Sequence, residues 1–233
     1  MVIGIIGAMD IEVESIKSVM DNVKTKTIST VEFYTGEIKD TKAVVATAGV
    51  GKVNAAVCTQ TMIMEFNPDI IINVGVAGGL SKELGIGDIA IADMVVEHDM
   101  DTTPVGDEYG FITGIDKVYM NCDKEISQIM YDAAQEIDGV NVVVGTIASG
   151  DQFIASDEQR NKIMTTFKNT VAAEMEGASI GHVCTMANKP FAVLRAISDG
   201  ANSNSTVDFP TFTRLAAKNS TQIILKMFEK LTK

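Results

Sequence analysis

The feature that most constrains this chain is a set of short apolar runs that do not alternate. Residues 69–75 read DIIINVG. Similar β-branched stretches recur at Val2–Ile6, Ala43–Thr47, Ile89–Ile91, Val140–Ile147, Val171–Ala173 and Phe191–Ile197. A strand with one wet face alternates apolar and polar side chains, whereas a run that is apolar at successive positions has to be covered on both faces. Helices packed on the two sides of a largely parallel sheet meet that condition. The intervening stretches supply such helices. Helical patterns occupy Asp10–Met20, Lys52–Glu65, Asp123–Ile137 and Met175–Ala187. In the third, Asp123 is a capping residue, and Ile126, Ile129, Met130 and Ala133 fall on one face. A last helix is predicted to start near Asp208, with Pro210 in its first turn and Phe212, Leu215, Ala216, Ile223, Met227 and Leu231 in one apolar stripe. Two strand-like segments, Thr30–Ile38 and Thr41–Thr47, are separated only by Lys39 and Asp40, which predicts a local hairpin. The expected architecture is α/β: one domain over residues 1–233 with a central mixed β-sheet flanked by helices. The stretch Asp99–Lys117 is the longest without periodicity, and a loop of that length often serves function.

Composition removes several classes of function. Hydrophobic residues make up 46% and charged residues 21%, a globular balance that supports a large core. A net charge of -12 disfavours nucleic acid, whose phosphates require clustered Lys and Arg. Cys58, Cys122 and Cys184 lie far apart and are odd in number, so a disulfide framework is not expected and a reducing cytoplasm fits. With only His98 and His182 besides, a zinc site is poorly supplied. Both histidines read as structural, His182 as a satisfied core residue within an apolar helix. The apolar start, MVIGIIGAM, is too short to span a bilayer and runs straight into Asp10 and Glu12, so no membrane partner is expected.

Chemistry is expected where strands end, because open α/β sheets bind ligands beyond the carboxyl ends of their strands. Three glycine-rich stretches fall there: Gly4–Met9, Ala48–Lys52 and Gly75–Gly79. Each one alone is equally a tight strand-to-helix turn. Acidic residues gather at the same ends. Glu12 lies on the first turn of the first helix, where a surface acid complementing the helix dipole is the plainer explanation, and Asp10 and Glu14 compete for that role. Glu174-Met175-Glu176 closes a β-branched run and opens an apolar helix. Carboxylates buried there need partners, and vicinal ribose hydroxyls suit them, with helix capping as the alternative for Glu176. At the end of FAVLRAISD, Asp199 reads equally as a proton donor, an N-cap or the partner of Arg195 in an ion pair.

Six ordered motifs then settle on a resemblance covering essentially the whole chain. They are GIIGAM with Glu12, AGVGKVNAA at Ala48–Ala56, NVGVAGG at Asn73–Gly79, SGDQFI at Ser149–Ile154, EMEGASIGHVC at Glu174–Cys184 and RAISD at Arg195–Asp199. Together they resemble the 5′-methylthioadenosine/S-adenosylhomocysteine nucleosidases within the nucleoside phosphorylase superfamily. The resemblance implies a homodimeric enzyme that hydrolyses the N-glycosidic bond of either nucleoside to adenine and a thioribose, with no metal or organic cofactor. Carried over by motif, Glu12 positions and deprotonates the attacking water. Asp199 protonates N7 of adenine and accepts from its 6-amino group, oriented by Ser198. Glu176 holds the ribose hydroxyls, Met175 packs on the sugar, Phe153 stacks on the base, and the Ile154 backbone bonds its edge. Met9, Val50 and Phe209 suit an apolar pocket for the 5′-thioalkyl group, and Val76, Ala77, Gly78, Glu174 and Arg195 complete the expected binding positions. The chain departs from the family at this 5′ end. Val76 stands where relatives often have Ser, and Thr102, Val105 and Thr113 replace larger or more apolar residues of a loop that reaches the neighbouring subunit's pocket. The alternatives are therefore the same hydrolysis on 5′-deoxyadenosine or 6-amino-6-deoxyfutalosine. Phosphorolysis is the nearest rival: Arg195 favours it, and the negative charge of Glu12 opposes an anion there. A non-catalytic nucleoside-binding protein would be free to lose Glu12 or Asp199.

Overall fold

The computed structural model describes residues 1–202 and 204–231. In chain order the elements are β1 (Val2–Gly7), α1 (Asp10–Lys17), β2 (Asp21–Ile28), β3 (Val31–Ile38), β4 (Thr41–Thr47), α2 (Lys52–Phe66), β5 (Ile70–Gly79) and β6 (Ile89–Glu97). There follow β7 (Tyr119–Asn121), α3 (Lys124–Ala134), β8 (Val142–Ser149), α4 (Asp157–Thr166), β9 (Thr170–Glu174), α5 (Gly177–Met186), β10 (Phe191–Asp199) and α6 (Ser205–Leu231).

All strands belong to one mixed sheet. Its arrangement explains the non-alternating runs. β5 sends Ile70, Ile72 and Val74 into a layer shared with Val13 and Ile16 of α1, Met130 of α3 and Met227 of α6. Its Ile71 points the other way, among Cys58 and Met62 of α2 and Ile180 of α5. Both faces of the strand are dry, so every position favours an apolar residue. At about 25 cal/mol per Å² of apolar surface, these two layers are the main source of the fold's stability.

The sheet also closes on itself. β5 pairs with β10, β10 with β6, β6 with β8, β8 with β9, and β9 returns to β5. Outside this ring, β1, β4, β3 and β2 extend as an open wing. The junction is a fork in β5. Along one edge β10 pairs with residues 71–78. On the opposite edge β1 covers Ile70–Asn73 and β9 covers only Gly78–Gly79. Between them the edge from Val74 to Ala77 has no strand beside it, and the ends of β1 and β9 diverge around the gap.

The predicted hairpin is present between β3 and β4. Lys39 and Asp40 both take positive φ, 50° and 63°, the geometry of a two-residue turn matched to strand twist. Asp123 caps α3 by accepting from the Ile126 N–H at 3.0 Å. Three elements were absent from the sequence expectation. β2 is exposed along almost its whole length, β7 is only three residues long, and α4 buries Ile163 alone. The last helix begins at Ser205, upstream of the predicted start, and Pro210 lies inside it. Its first turn forms earlier because the Val207 and Asp208 N–H groups both donate to the Asn204 carbonyl.

Candidate active site

The gap in β5 opens into a cavity of about 290 Å³, close to the lower size of small-molecule pockets. Glu12 enters it from α1. Far from being a surface acid, Glu12 is only 3% exposed. Its Oε2 accepts from the Ala8 and Met9 N–H groups, both at 2.8 Å, and its Oε1 from the Val76 N–H at 3.0 Å. That last donor is available because no strand lies along this edge of β5, the one opposite β10, at this point. Burial raises the Glu12 pKa, although Arg195 and the three N–H groups pull against it. Gly75 has to be glycine here. A Cβ on it would lie 2.6 Å from Glu12 Oε1 and 2.9 Å from an Arg195 guanidinium nitrogen.

The Arg195–Asp199 ion pair that the sequence allowed does not form. Arg195 lies fully buried behind the cavity wall and pairs with Glu174, with Asn73 Oδ1 accepting a further bond and Glu176 Oε2 at 3.8 Å. Register causes this: Arg195 stands opposite Gly75 in the middle of the ring, whereas Asp199 lies beyond a bulge at the strand's end. Asn73 and Ser149 were not singled out as partners by sequence reasoning. Both occur inside quoted motifs, and their polar side chains within apolar strands were the signal. The Ser149 hydroxyl donates to Glu174 and accepts from the Ala178 N–H.

The two acids of Glu174-Met175-Glu176 have different surroundings. Glu174, not Glu176, caps α5, accepting from the Glu176 N–H at 2.9 Å and the Gly177 N–H at 2.8 Å. Burial works against its charge, but Arg195 and these donors outweigh it and leave the Glu174 pKa lowered. Glu176 occupies the N-cap position with no capping bond of its own. Among the described residues its carboxylate accepts one hydrogen bond, from the Gly51 N–H at 2.8 Å. Burial first, and then the neighbouring Glu174 charge, push its pKa up to about 8. Gly51 takes φ 96°, a conformation open chiefly to glycine, and this turn directs its N–H at Glu176.

Asp199 lines the same cavity from the end of β10. Its Oδ2 accepts from the Ser198 hydroxyl and its Oδ1 from the Ala201 N–H, both at 2.9 Å. The remaining lining is mostly apolar. Met9, Val50 and Phe209 lie on it, as do Val76, Ala77 and Gly78 of β5, and Phe153, Ile154 and Met175. Phe153 meets Phe209 edge-on at a centroid separation of 5.4 Å. Of the residues expected at a site, only Arg195 is not part of the cavity surface. Ala8, Gln152 and Ala173 line it without having been named, each adjacent to a named residue.

His182 is satisfied, as the sequence reading has it, but not in the core, and His98 differs from that reading. His182 is half-buried and bonds Glu97 Oε1 at 3.0 Å. His98 is buried, but its Nε2 has no hydrogen-bond partner among the described residues.

A ring-closed mixed sheet with a pocket of carboxylates at its fork defines a class. A family model for the Phosphorylase superfamily matches residues 2–229, and the chain belongs to that superfamily and, within it, to the 5′-methylthioadenosine/S-adenosylhomocysteine nucleosidases. It is 38% identical to the enzyme of that name from Bacillus subtilis (strain 168), over 98% of this chain and 99% of the relative. Among solved structures it resembles the Neisseria meningitidis nucleosidase in complex with methylthio-immucillin-A. The TM-score is 0.95 at 35% identity, over 98% of this chain and 99% of that one. It also resembles futalosine hydrolase of Helicobacter pylori, with a TM-score of 0.93 at 31% identity, over 98% and 97% of the two chains.

Proposed function

We propose that this chain hydrolyses the N-glycosidic bond of 5′-methylthioadenosine and S-adenosylhomocysteine, releasing adenine and the 5′-thioribose. The observation that carries the reading is a single, largely apolar cavity lined at once by Glu12, Glu176 and Asp199. Departure of a purine builds positive charge on the ribose and negative charge on the base, and a catalyst has to meet both. Glu12 takes the proton of the attacking water. Its placement by three backbone N–H groups fixes the direction of that transfer. Asp199 delivers a proton to N7 and accepts from the 6-amino group, with the Ser198 hydroxyl holding its carboxyl in orientation. Glu176 bonds the ribose hydroxyls. Phe153 stacks on the base, the Ile154 backbone bonds its edge, and Met175 lies against the sugar. Met9, Val50 and Phe209 receive the 5′-thioalkyl group.

The catalytic unit comprises the whole chain and works as a homodimer in the cytoplasm. The Asp99–Lys117 segment lies near the interface. In support, Val105 within that segment is 81% exposed, and the three free cysteines are all buried. Small nucleosides are its partners; among the described residues, no helix is long and apolar enough to cross a membrane. A second reading, hydrolysis of an aminodeoxyfutalosine-type nucleoside, draws on the likeness to futalosine hydrolase. The test is a panel of 5′-methylthioadenosine, S-adenosylhomocysteine, 5′-deoxyadenosine and 6-amino-6-deoxyfutalosine in phosphate-free buffer. Adenine release with free thioribose from the first two supports the proposal. A requirement for phosphate, or turnover of the futalosine alone, would overturn it.

A further inference from the structure

Lys52 occupies an unfavourable position that the reaction does not explain. It is the first residue of α2, where a cation opposes the helix dipole. Its side chain crosses to β6 and the following loop, donating to Glu97 Oε2 at 3.0 Å and Asp99 Oδ1 at 2.7 Å. Asp99 in turn accepts the Asp151 N–H on its other oxygen at 2.9 Å. The Asp151 carboxylate closes the circuit by accepting the Lys52 N–H at 2.8 Å. Three segments distant in sequence are thus joined through one lysine and two aspartates.

Two of these segments, those of Lys52 and Asp151, run directly into the cavity lining. Immediately before Lys52 come Val50, which lines the cavity, and Gly51, whose N–H holds Glu176. After Asp151 come Gln152, Phe153 and Ile154, which also line it. Both Val50 and Phe153 are more than two-fifths exposed, so neither is fixed by burial in the core. We propose that Lys52, Asp99 and Asp151 are positioning residues that hold the mouth of the cavity at the width the nucleoside requires. The inference rests on the proposed function and extends it to residues that do not touch substrate.

Steady-state turnover of 5′-methylthioadenosine by Lys52→Met, Asp99→Ala and their double variant tests this, with thermal melting and adenine titration calorimetry alongside. Each single variant should raise KM about tenfold, the factor equivalent to about 1.4 kcal/mol. The expected change in kcat is under threefold, adenine affinity should weaken in parallel, and the double variant should be no worse than the poorer single one, as for residues acting as a unit. Lys52→Arg should restore KM. If Asp99→Ala does not fold, Asp99→Asn, which keeps the acceptor for Asp151 but not the charge for Lys52, takes its place with a smaller rise expected. Variants that melt earlier but keep the wild-type KM and adenine affinity would overturn the inference alone. Failure of the wild-type chain to release adenine would instead remove the functional reading, and this inference with it.

Discussion

The two ends of the cavity are built on opposite plans. At one end Asp199 lies at a strand terminus and, among the described residues, is held by one hydroxyl and one N–H. At the other, Glu12, Glu174 and Glu176 surround a single buried guanidinium, Arg195, within a network of backbone donors. The contrast shows how one pocket keeps acids in different states. Donor supply sorts the crowded end. Glu174, with a guanidinium, a hydroxyl and two N–H groups, stays below the usual carboxylate range, whereas Glu176, with one N–H and a charged neighbour, rises to about 8. Asp199, free of such a network, can be altered chemically without disturbing the packing around it.

Breaking the sparse end should have the largest effect on turnover. Asp199→Asn keeps the shape and the acceptor for Ala201 but removes the transferable proton, so kcat should fall by about 10²–10⁴-fold or more with the melting temperature nearly unchanged. Near-normal adenine release by this variant would sink its assignment as the acid. Glu12→Gln should lower kcat by a comparable or slightly smaller factor, about 10²–10⁴-fold, while nucleoside binding measured by calorimetry persists. Arg195→Met probes the crowded end through stability. Removing the cation leaves Glu174 buried and uncompensated, which should cost about 3–5 kcal/mol in urea unfolding. An unfolding midpoint within error of wild type would mean that the guanidinium contributes nothing net.

The last effect is a pH slope. The folded chain holds the Glu176 proton up to about pH 8, whereas an ordinary glutamate releases it near 4.5. Below 4.5 both states carry the proton, and the stability this group contributes is fully present. As pH rises toward 8 the unfolded chain gives up its proton first, so that stability is lost across the window and levels off above it. Glu176→Gln should flatten this decline, seen as a smaller difference between urea midpoints measured at about pH 5 and about pH 8. Identical slopes in the two proteins would remove Glu176 as the source.

Much of this comparison was legible in the sequence because burial writes a strong pattern. β1, β5 and β10 could be read from apolar runs since helices cover both their faces, and the acids at their ends followed from where strands stop. β2 could not be read so easily: DNVKTKTI has no apolar face and is held by pairing with β3 rather than by a core. α4 escaped for the same reason, with a polar sequence that depends on the Ser156 cap, bonded to the Gln159 N–H, and on Ile163. Partner choice was the deeper gap. Arg195 and Asp199 both lie near the end of one apolar strand, which left an ion pair open, yet the register against Gly75 sends the guanidinium to Glu174 on another strand. Closure of the five strands is likewise a long-range property that no local window contains.

The fork in β5 has a spectroscopic consequence. Most backbone amides in a sheet donate to carbonyls, whose charge does not change. The Val76 amide donates to the Glu12 carboxylate instead. Its nitrogen–proton resonance is thus a built-in meter for a single side chain, shifting when Glu12 gains or loses a proton and when water or nucleoside alters its bonding. Isotopic labelling of valine alone would thin the spectrum to the valine amides, Val76 among them, so the charge state of the proposed base could be followed through binding and release without substituting any residue of the site.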